Sequence, residues 1–179
     1  MWEEEHMRIR NALFITFCLL SVTGCYATIT GTVVDGDTGQ PIEGAVVLAE
    51  WSITKGLGLT YSKSHEVVEA VTDKEGKVTI SGLFNPFVNH PSLTVYRKGY
   101  VAWNNQYIFP DRKRRLDFKW SNDYVFRLEK FRPEYSYLAH VNFLDDAIFS
   151  YTAGEKKQSM TKAYEWERKR ANEERMKQK

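Results

Sequence analysis

The chain has 179 residues, of which 42% are hydrophobic and 14% aromatic, and its formal net charge is +2. Such an aromatic content excludes a largely disordered chain, and the length fits one domain with short extensions. The positive charge is concentrated at the end, because residues 155–179 contain nine Lys or Arg against five Glu, whereas residues 25–154 contain 14 against 15 acidic residues. The middle of the chain is therefore predicted to form a near-neutral folded region.

Residues 1–24 have the layout of a secretory signal peptide. Arg8 and Arg10 supply positive charge, and residues 12–20 are almost wholly apolar. This apolar run is shorter than the ~20 residues that a membrane-spanning helix needs, which favours an export signal. The acidic residues before Met7 do not suit such a signal, so we interpret Met7 as the start of translation and residues 1–6 as a start-site error.

The end of this segment, Val22-Thr23-Gly24-Cys25, resembles the lipobox of bacterial lipoproteins. The resemblance implies that diacylglycerol is attached to Cys25, that the peptide is cut before it, and that the new N-terminus is acylated. The alternative is an ordinary signal peptide cut nearby, for instance after Ala27. Several acyl chains on Cys25 would anchor the protein stably, so the membrane is its predicted partner. The other cysteine, Cys18, would be removed with the leader, which leaves no internal disulfide.

The residue after the cysteine also bears on location. Position 26 is Tyr and not Asp. By resemblance to the enterobacterial sorting rule, this favours the outer membrane of the bacterial cell envelope.

A β-domain is predicted from Ala27 to about Lys130. Short runs rich in β-branched and aromatic residues alternate with turns that contain Gly, which is typical of an antiparallel sandwich. The predicted strands are 28–35, 44–51, 64–72, 77–80, 93–97, 101–103 and 124–128. Gly39 and Gly76 are predicted to adopt positive φ in turns, and Asp73 to cap its own turn with its carboxylate.

The motifs in this region resemble those of carboxypeptidase regulatory-like domains. They are Ile29-x-Gly31-x-Val33-x-Asp35, Thr38-Gly39-x-Pro41-Ile42-x-Gly44-Ala45-x-Val47, Thr72-Asp73-x-x-Gly76-x-Val78-x-Ile80 and Leu93-x-Val95-x-Arg97-x-Gly99-Tyr100. The resemblance covers residues 28–102, weakens toward 130, and implies an all-β, seven-stranded antiparallel Greek-key sandwich of the transthyretin type. Such domains are accessory modules in enzymes, surface proteins and transporters. The chain departs from the pattern in long insertions at 51–63 and 83–91, and it lacks a metallopeptidase domain.

The C-terminal part is predicted to be helical. Five apolar residues recur at helical spacing: Leu138, Val141, Leu144, Ile148 and Tyr151. An alternation from Tyr135 to Phe143 would also suit a strand, but Asp145-Asp146 interrupts it, so we prefer a helix over 134–151. Residues 155–179 are predicted to form a solvated helix, with Met160, Tyr164 and Trp166 as its apolar residues, although the tail could also dock a partner. Truncation at Gly154 is therefore expected to leave the melting of the sandwich nearly unchanged.

The sequence predicts no catalytic residue, no metal site and no cofactor. Asp35-x-Asp37-x-Gly39 begins like a calcium loop. The later positions of such a loop do not hold the residues that would supply further ligands, so a hairpin turn is the better interpretation. His65-Glu66 begins like a zinc-protease motif but lacks the second His. His90 and His140 are isolated in the sequence. We therefore predict that the protein is not an enzyme.

A basic cluster, Arg112-Lys113-Arg114-Arg115, is the candidate surface-contact site. Aromatic residues flank it, so it could contact anionic lipid head groups or envelope polysaccharide. The alternative is a solvated loop between two strands. Trp51, Trp103 and Trp120 could line a sugar-binding surface, although filling the core is the commoner role of a Trp.

Together these features predict a non-enzymatic, membrane-anchored envelope lipoprotein that serves as a binding or structural module. The alternative is an accessory subunit that presents carbohydrate or peptide to an envelope enzyme or transporter. An exported protein is not expected to bind nucleic acid. The predicted organisation is a signal peptide (1–24), the sandwich (25–130) and a helical extension (131–179).

Overall fold

A computed structural model describes residues 26–83, 88–119, 121–148 and 158–178. The predicted signal peptide and Cys25 lie outside these residues. The strands are β1 (Tyr26–Asp35), β2 (Val46–Lys55), β3 (Tyr61–Val71), β4 (Lys77–Leu83), β5 (Ser92–Tyr96), β6 (Trp103–Asn104), β7 (Tyr107–Ile108), β8 (Lys113–Arg114) and β9 (Tyr124–Leu128). The helices are α1 (Tyr137–Ala147), α2 (Gln158–Ala163) and α3 (Glu165–Lys177). None of these helices has the length and hydrophobicity of a membrane span.

The strands form two larger sheets, ordered β4-β1-β9 and β3-β2-β5-β6, and a small β7-β8 hairpin. This arrangement confirms a β-sandwich followed by C-terminal helices. The prediction that all strands are antiparallel is wrong at one pair, because β9 runs parallel to β1, from Gly31 opposite Tyr124 to Asp35 opposite Leu128. The chain reaches β9 by a long connection from the other sheet, and such crossovers permit parallel pairing where a tight hairpin does not.

The core between the sheets contains two of the tryptophans. Trp51 and Trp103 are 5% and 6% exposed, so the sugar-surface interpretation is wrong for both; Trp120 lies outside the described residues. Trp51 packs on Gly82 of the facing sheet, where an added Cβ would lie 2.1 Å from the indole ring. The core residues are Val33, Ile42, Ala45, Val47, Ala49, Trp51, Val78, Ile80, Leu93, Val95, Trp103, Phe126 and Leu128. Gly82 therefore provides the space that Trp51 fills.

The predicted insertion at 51–63 is an extended hairpin in the structure. β2 and β3 stay paired as far as Lys55 opposite Tyr61, and their register shifts once, between Trp51 and Ser52. Residues 56–60 form the tip of the hairpin.

The helices cover the outer face of the β3-β2-β5-β6 sheet. The helix predicted over 134–151 is confirmed for 137–147, and Tyr151 lies outside the described residues. The prediction of a solvated tail is wrong, because Met160 and Tyr164 are fully buried. Their cluster also contains Val46, Leu48, Tyr96, Val101, Ala102, Phe109, Phe143, Leu144 and Ile148. The outward side chains of β2 and β5 need this cover, since apolar surface is stabilised by removal from water.

Candidate functional site

A cleft of about 510 Å³ opens between the outer face of the β2-β5 sheet and the last turn of α1. Its lining combines hydroxyl, amide, aromatic and charged side chains, including Ser52, Ser92, Gln106, Tyr107, Arg112 and Asp146. Tyr107 is 46% exposed, so one aromatic ring is accessible in this lining. An accessible ring beside several hydrogen-bonding groups can stack on and bind a polar ligand.

The buried amide of Asn104 holds one rim of this cleft in place. Its Oδ1 accepts hydrogen bonds from the backbone N–H groups of Gln106 and Tyr107, at 2.8 and 3.0 Å. Its Nδ2 donates to the backbone oxygen of Leu93 and to the Thr94 hydroxyl, both at 3.1 Å. The ring of Tyr107 therefore projects from a backbone that is tied to β5, which presents it in a defined position.

The basic cluster lies on the β7-β8 hairpin beside the cleft. Arg112 forms an ion pair with Asp146 of α1 at the cleft itself. Lys113 pairs with Asp111 at 2.9 Å. These exposed pairs neutralise charge locally but add little to stability.

The last member of the cluster, Arg115, packs inward. Its guanidinium lies 4.8 Å from the centre of the Trp103 ring, and its Nε donates to the backbone oxygen of Asn104 at 2.8 Å. Among the four basic residues, only the exposed Arg114 makes no side-chain hydrogen bond or ion pair with the described residues. Contact of the cluster with an anionic surface stays a prediction. Arg114 is the member of the cluster whose charge is not paired within the described residues.

A second polar assembly, the His140 network, is sealed between α1, α3 and β5. His140, Glu167 and Tyr96 are each fully buried. Nδ1 of His140 lies 2.6 Å from one Glu167 oxygen, and the Tyr96 hydroxyl donates to the other oxygen at 2.9 Å. The indole N–H of Trp166 donates to the Tyr96 hydroxyl oxygen at 3.1 Å.

The hydrogen bonds of His140 define its tautomer. Nε2 accepts a hydrogen bond from the backbone N–H of Ala102 at 2.9 Å, so the ring proton of the neutral imidazole must sit on Nδ1 and point at Glu167. Burial first, and then the charge of Glu167, raise the pKa of Tyr96 far above its ordinary value, so its hydroxyl remains a donor.

This network shares with a catalytic His–carboxylate pair only the contact between a carboxylate and one ring nitrogen. A general base must reach the substrate with its second nitrogen, but here Nε2 is occupied by a backbone N–H. The rings of Phe109 and Phe131 also enclose the imidazole, with centroids 4.9 and 5.2 Å away. The pair therefore joins the helices to the sandwich and does not face a substrate.

Two further histidines lie in the described part of the chain, and both are away from this network. His65 is exposed on β3, and His90 is exposed before β5. Across the described ranges, no three His, Cys, Asp or Glu side chains are grouped so that they could hold a metal ion.

Comparison with protein families assigns the sandwich. A sequence model of the carboxypeptidase regulatory-like domain matches residues 28–121, which is more than half of the chain. The chain belongs to the carboxypeptidase regulatory-like domain family. This domain is non-catalytic. No curated protein sequence matches the chain significantly.

The carboxypeptidase regulatory-like domain supplies only part of the cleft. Ser52, Ser92, Tyr107 and Arg112 lie within the matched residues, whereas Asp146 on α1 lies beyond them. The wall formed by α1 is therefore an addition of this chain to the region that the family describes.

The turn after β1 of the carboxypeptidase regulatory-like domain is a hairpin turn, as predicted. Oδ1 of Asp35 accepts hydrogen bonds from the N–H groups of Asp37 and Thr38, and Oδ2 accepts one from the Tyr100 hydroxyl at 3.0 Å. Lys130 lies 3.4 Å from the same carboxylate. The bond from Thr38 first, and then that from Tyr100, hold the pKa of Asp35 well below its ordinary value, although burial opposes them.

The lowered pKa of Asp35 predicts a pH dependence of stability. Its stabilising effect should be fully present above the unfolded value of about 3.9 and should be lost as the pH falls toward the folded value. Urea unfolding from pH 7 to pH 2.5 should therefore show the largest gap between wild type and Asp35→Asn near neutrality, and a shrinking gap below about pH 4. Asp37→Asn, at an exposed position, is the control. A gap that does not change with pH would contradict this role of the carboxylate.

Proposed function

We propose that the protein is a non-enzymatic, lipid-anchored binding module of the bacterial cell envelope, with an envelope saccharide as ligand. The observation that carries this proposal is the contrast between the two polar assemblies. The accessible cleft presents Tyr107, Gln106 and serine hydroxyls, which suit stacking on and hydrogen bonding to a sugar. The His140 network, which has the residue types of a catalytic site, is closed by its own hydrogen bonds.

The anchor is supported by the sequence at the start of the sandwich. Cys25 ends the lipobox-like segment and directly precedes Tyr26, the first residue of β1. A lipid on Cys25 would therefore tether the sandwich by one end of its β4-β1-β9 sheet. Tyr26 in place of Asp favours the outer membrane. For the two larger sheets we propose the seven-stranded Greek-key topology of transthyretin-like domains, in keeping with their three and four strands.

Metabolic labelling tests the anchor. In a bacterial host, labelled palmitate should enter the wild-type protein, which should fractionate with membranes. Cys25→Ser should take up no label and should be retained as an uncleaved precursor or released. Equal labelling of the two proteins would exclude a lipid on Cys25.

A glycan array tests the ligand. The Cys25→Ser protein, made without residues 1–24 for this and the later solution experiments, should bind one class of bacterial envelope glycan. Tyr107→Ala in that background should weaken binding by about tenfold, which corresponds to about 1.4 kcal/mol. Tyr61→Ala removes an exposed tyrosine outside the cleft and should leave the affinity unchanged. Equal losses in both variants would mean that the cleft is not the binding site.

The second candidate function is an accessory subunit that presents its ligand to an envelope enzyme or transporter. Membership of a non-catalytic family favours it, because such a domain needs another protein to act on what it binds. Recovery of one specific enzyme or transporter component with the wild-type protein from detergent-solubilised membranes would support this role. Its loss in Arg114→Glu would assign the contact to the basic cluster.

A further inference from the structure

The tip of the β2-β3 hairpin exposes apolar side chains that have no structural role within the described fold. Leu57, Leu59 and Tyr61 are 105%, 93% and 61% exposed. Gly56 and Gly58 have φ of 112° and 90°, which allows the sharp turn that presents the two leucines. Exposed large apolar residues on a projecting turn indicate a surface that binds something apolar.

The direction of the hairpin identifies which end of the sandwich it extends. The residues just before β2 lie at the far end of β1, since the N–H of Ile42 donates to the backbone oxygen of Val33 at 2.9 Å. Farther along β2, Trp51 packs on Gly82, which is paired with Ala27 near the start of β1. β2 therefore runs toward the end where β1 begins.

The hairpin then continues past that end. Lys55 is four residues beyond Trp51, which corresponds to about 13 Å of strand, whereas Tyr26 is one residue beyond Ala27, or about 3 Å. The tip thus extends about 10 Å farther than the first residue of β1. Since Cys25 precedes that residue, the hairpin projects from the same end as the proposed lipid.

The charge of the hairpin suits an anionic bilayer. Between Trp51 and Glu66 the sequence contains Lys55 and Lys63 and no acidic residue. Both lysines are exposed and lie on the two strands that lead to the tip. Leucine side chains flanked by lysines can enter the interface of a bilayer while the ammonium groups contact its phosphates.

We propose that Leu57, Leu59 and Tyr61 insert into the membrane that holds the Cys25 lipid. This inference rests on the proposed function for the identity of the membrane. A second contact beside the lipid restricts rotation of the sandwich about its tether, so the molecule stands with β1 and β2 directed at the bilayer. The turn at Asp73–Gly76, at the opposite end, then faces away from the membrane.

A site-specific fluorophore tests the insertion. Without residues 1–24 the chain has Cys25 as its single cysteine. Thr60→Cys therefore supplies one free thiol for an environment-sensitive dye, both in the lipidated protein and in Cys25→Ser protein made without residues 1–24. With vesicles of phosphatidylethanolamine and phosphatidylglycerol, the dye at position 60 should shift to the blue and be quenched by lipids that carry nitroxide. The same dye on Glu75→Cys, at the opposite end, should do neither.

Matched variants assign the effect to the tip. In the Cys25→Ser background, Leu57→Ser with Leu59→Ser should reduce partitioning onto these vesicles at least tenfold, whereas Leu116→Ser, at another exposed leucine, should not. Lys55→Gln with Lys63→Gln should reduce binding to vesicles that contain phosphatidylglycerol and leave binding to phosphatidylcholine vesicles unchanged. Thermal melting should be equal in all these variants, because each changed side chain is exposed.

The two proposals fail differently. Lipidated protein that is bound to vesicles while the dye at position 60 stays in water would overturn the insertion and leave the anchor intact. Wild-type protein that is purified from a bacterial host without a lipid on Cys25, and that still partitions through the leucines, would overturn the anchor alone. Self-association, or binding to a protein, that is abolished by the double leucine substitution while vesicle binding is absent would overturn the insertion in favour of a protein interface.

Discussion

Removal of residues 155–179 should leave a sandwich that is unfolded or only marginally stable. The truncation deletes α2 and α3 and exposes the apolar outer face of β2 and β5. Met160 and Tyr164 are fully buried, and burial of side chains of this size contributes about 1.5–3 kcal/mol each. His140 and Tyr96 would also lose the Glu167 carboxylate, at about 1–3 kcal/mol for each unpaired group. The loss approaches the roughly 5–15 kcal/mol that stabilises a typical domain.

Circular dichroism melting of the Cys25→Ser protein, with and without residues 155–179, measures this loss. Two full-length variants, one at a buried and one at an exposed methionine, distinguish the loss of packing from the effect of shortening the chain. Met160→Ala should cost about 2–5 kcal/mol, whereas Met176→Ala, at a 70% exposed position of α3, should cost almost nothing. A truncated protein that melts within a few degrees of the full chain would show that the helices are dispensable for the sandwich.

The sequence pattern predicts a solvated tail because the buried face of the tail contains carboxylates. Five residues at helical spacing face the protein, and two of the five are Glu. They are Met160, Tyr164, Glu167, Ala171 and Glu174. Glu167 is fully buried against Tyr96 and His140. A hydrophobicity pattern assigns such positions to solvent, because it does not include the partners that a buried carboxylate finds in three dimensions.

Glu174 shows the same effect at the start of α1. It accepts hydrogen bonds from the Ser136 hydroxyl and from the N–H groups of Tyr137 and Leu138, at 2.7, 2.9 and 3.0 Å. Burial acts to raise the pKa of Glu174, but these bonds, with Leu138 first, outweigh it and lower the pKa. A carboxylate from one helix thus satisfies the free N–H groups of another. Because the partners are 36 to 38 residues apart in the chain, no local motif reveals them.

A signal for the helices was nevertheless present in the strands. Residues 46–49 form a continuous apolar run, and residues 93–96 form a second one that only Thr94 interrupts. A strand with one face in water should alternate, so a continuous run indicates that both faces are covered. The second cover could only come from residues outside the sandwich.

Sequence patterns predicted the turns correctly, because the conformation of a turn depends on residues that are close in the chain. Gly39 and Gly76 both have a φ of 71°, and the Asp73 carboxylate accepts the N–H of Lys77 at 2.7 Å, as predicted from turn chemistry. Most strands coincide with the predicted ones, but the two-residue strands β7 and β8 were not predicted, since they depend on the packing of the hairpin against its neighbours.

The cleft was only partly accessible to prediction. Arg112 belongs to the basic cluster that the sequence shows, but its juxtaposition with Tyr107 and Asp146 depends on how α1 docks. Asn104, which positions Tyr107, carries no sequence signal beyond being an Asn that follows the predicted strand 101–103. Pairing across the helix–sheet boundary is a property of the fold and not of any short segment.

Substitution of Glu167 should be the most damaging single change in the helices. Glu167→Ala leaves the Nδ1–H of His140 and the Tyr96 hydroxyl without acceptors at a fully buried site, and should cost about 3–5 kcal/mol. Urea unfolding in the Cys25→Ser background measures the change. Glu173→Ala on the exposed face of α3, which removes a surface pair with Arg170, should cost less than about 1 kcal/mol.

Glu167→Gln sharpens the prediction, because it keeps the shape and changes only the donors. The amide oxygen can accept from Tyr96 or from His140, but the amide nitrogen must then face the other group. If it faces His140, the imidazole must move its proton to Nε2, which breaks the bond from the Ala102 N–H. If it faces Tyr96, that hydroxyl receives donors from both the introduced amide and Trp166 and has no acceptor for its own proton.

Either arrangement leaves at least one buried donor unpaired, so Glu167→Gln should cost about 1–3 kcal/mol, between the Ala variant and the surface control. Nitrogen NMR of the imidazole separates the two outcomes. The wild-type protein should show the Nδ1–H tautomer of His140. A change to Nε2–H in the variant would mean that the introduced amide nitrogen faces His140 and not Tyr96. A wild-type ring with its proton on Nε2 would contradict the network, since Ala102 would then donate to a nitrogen that already carries a proton.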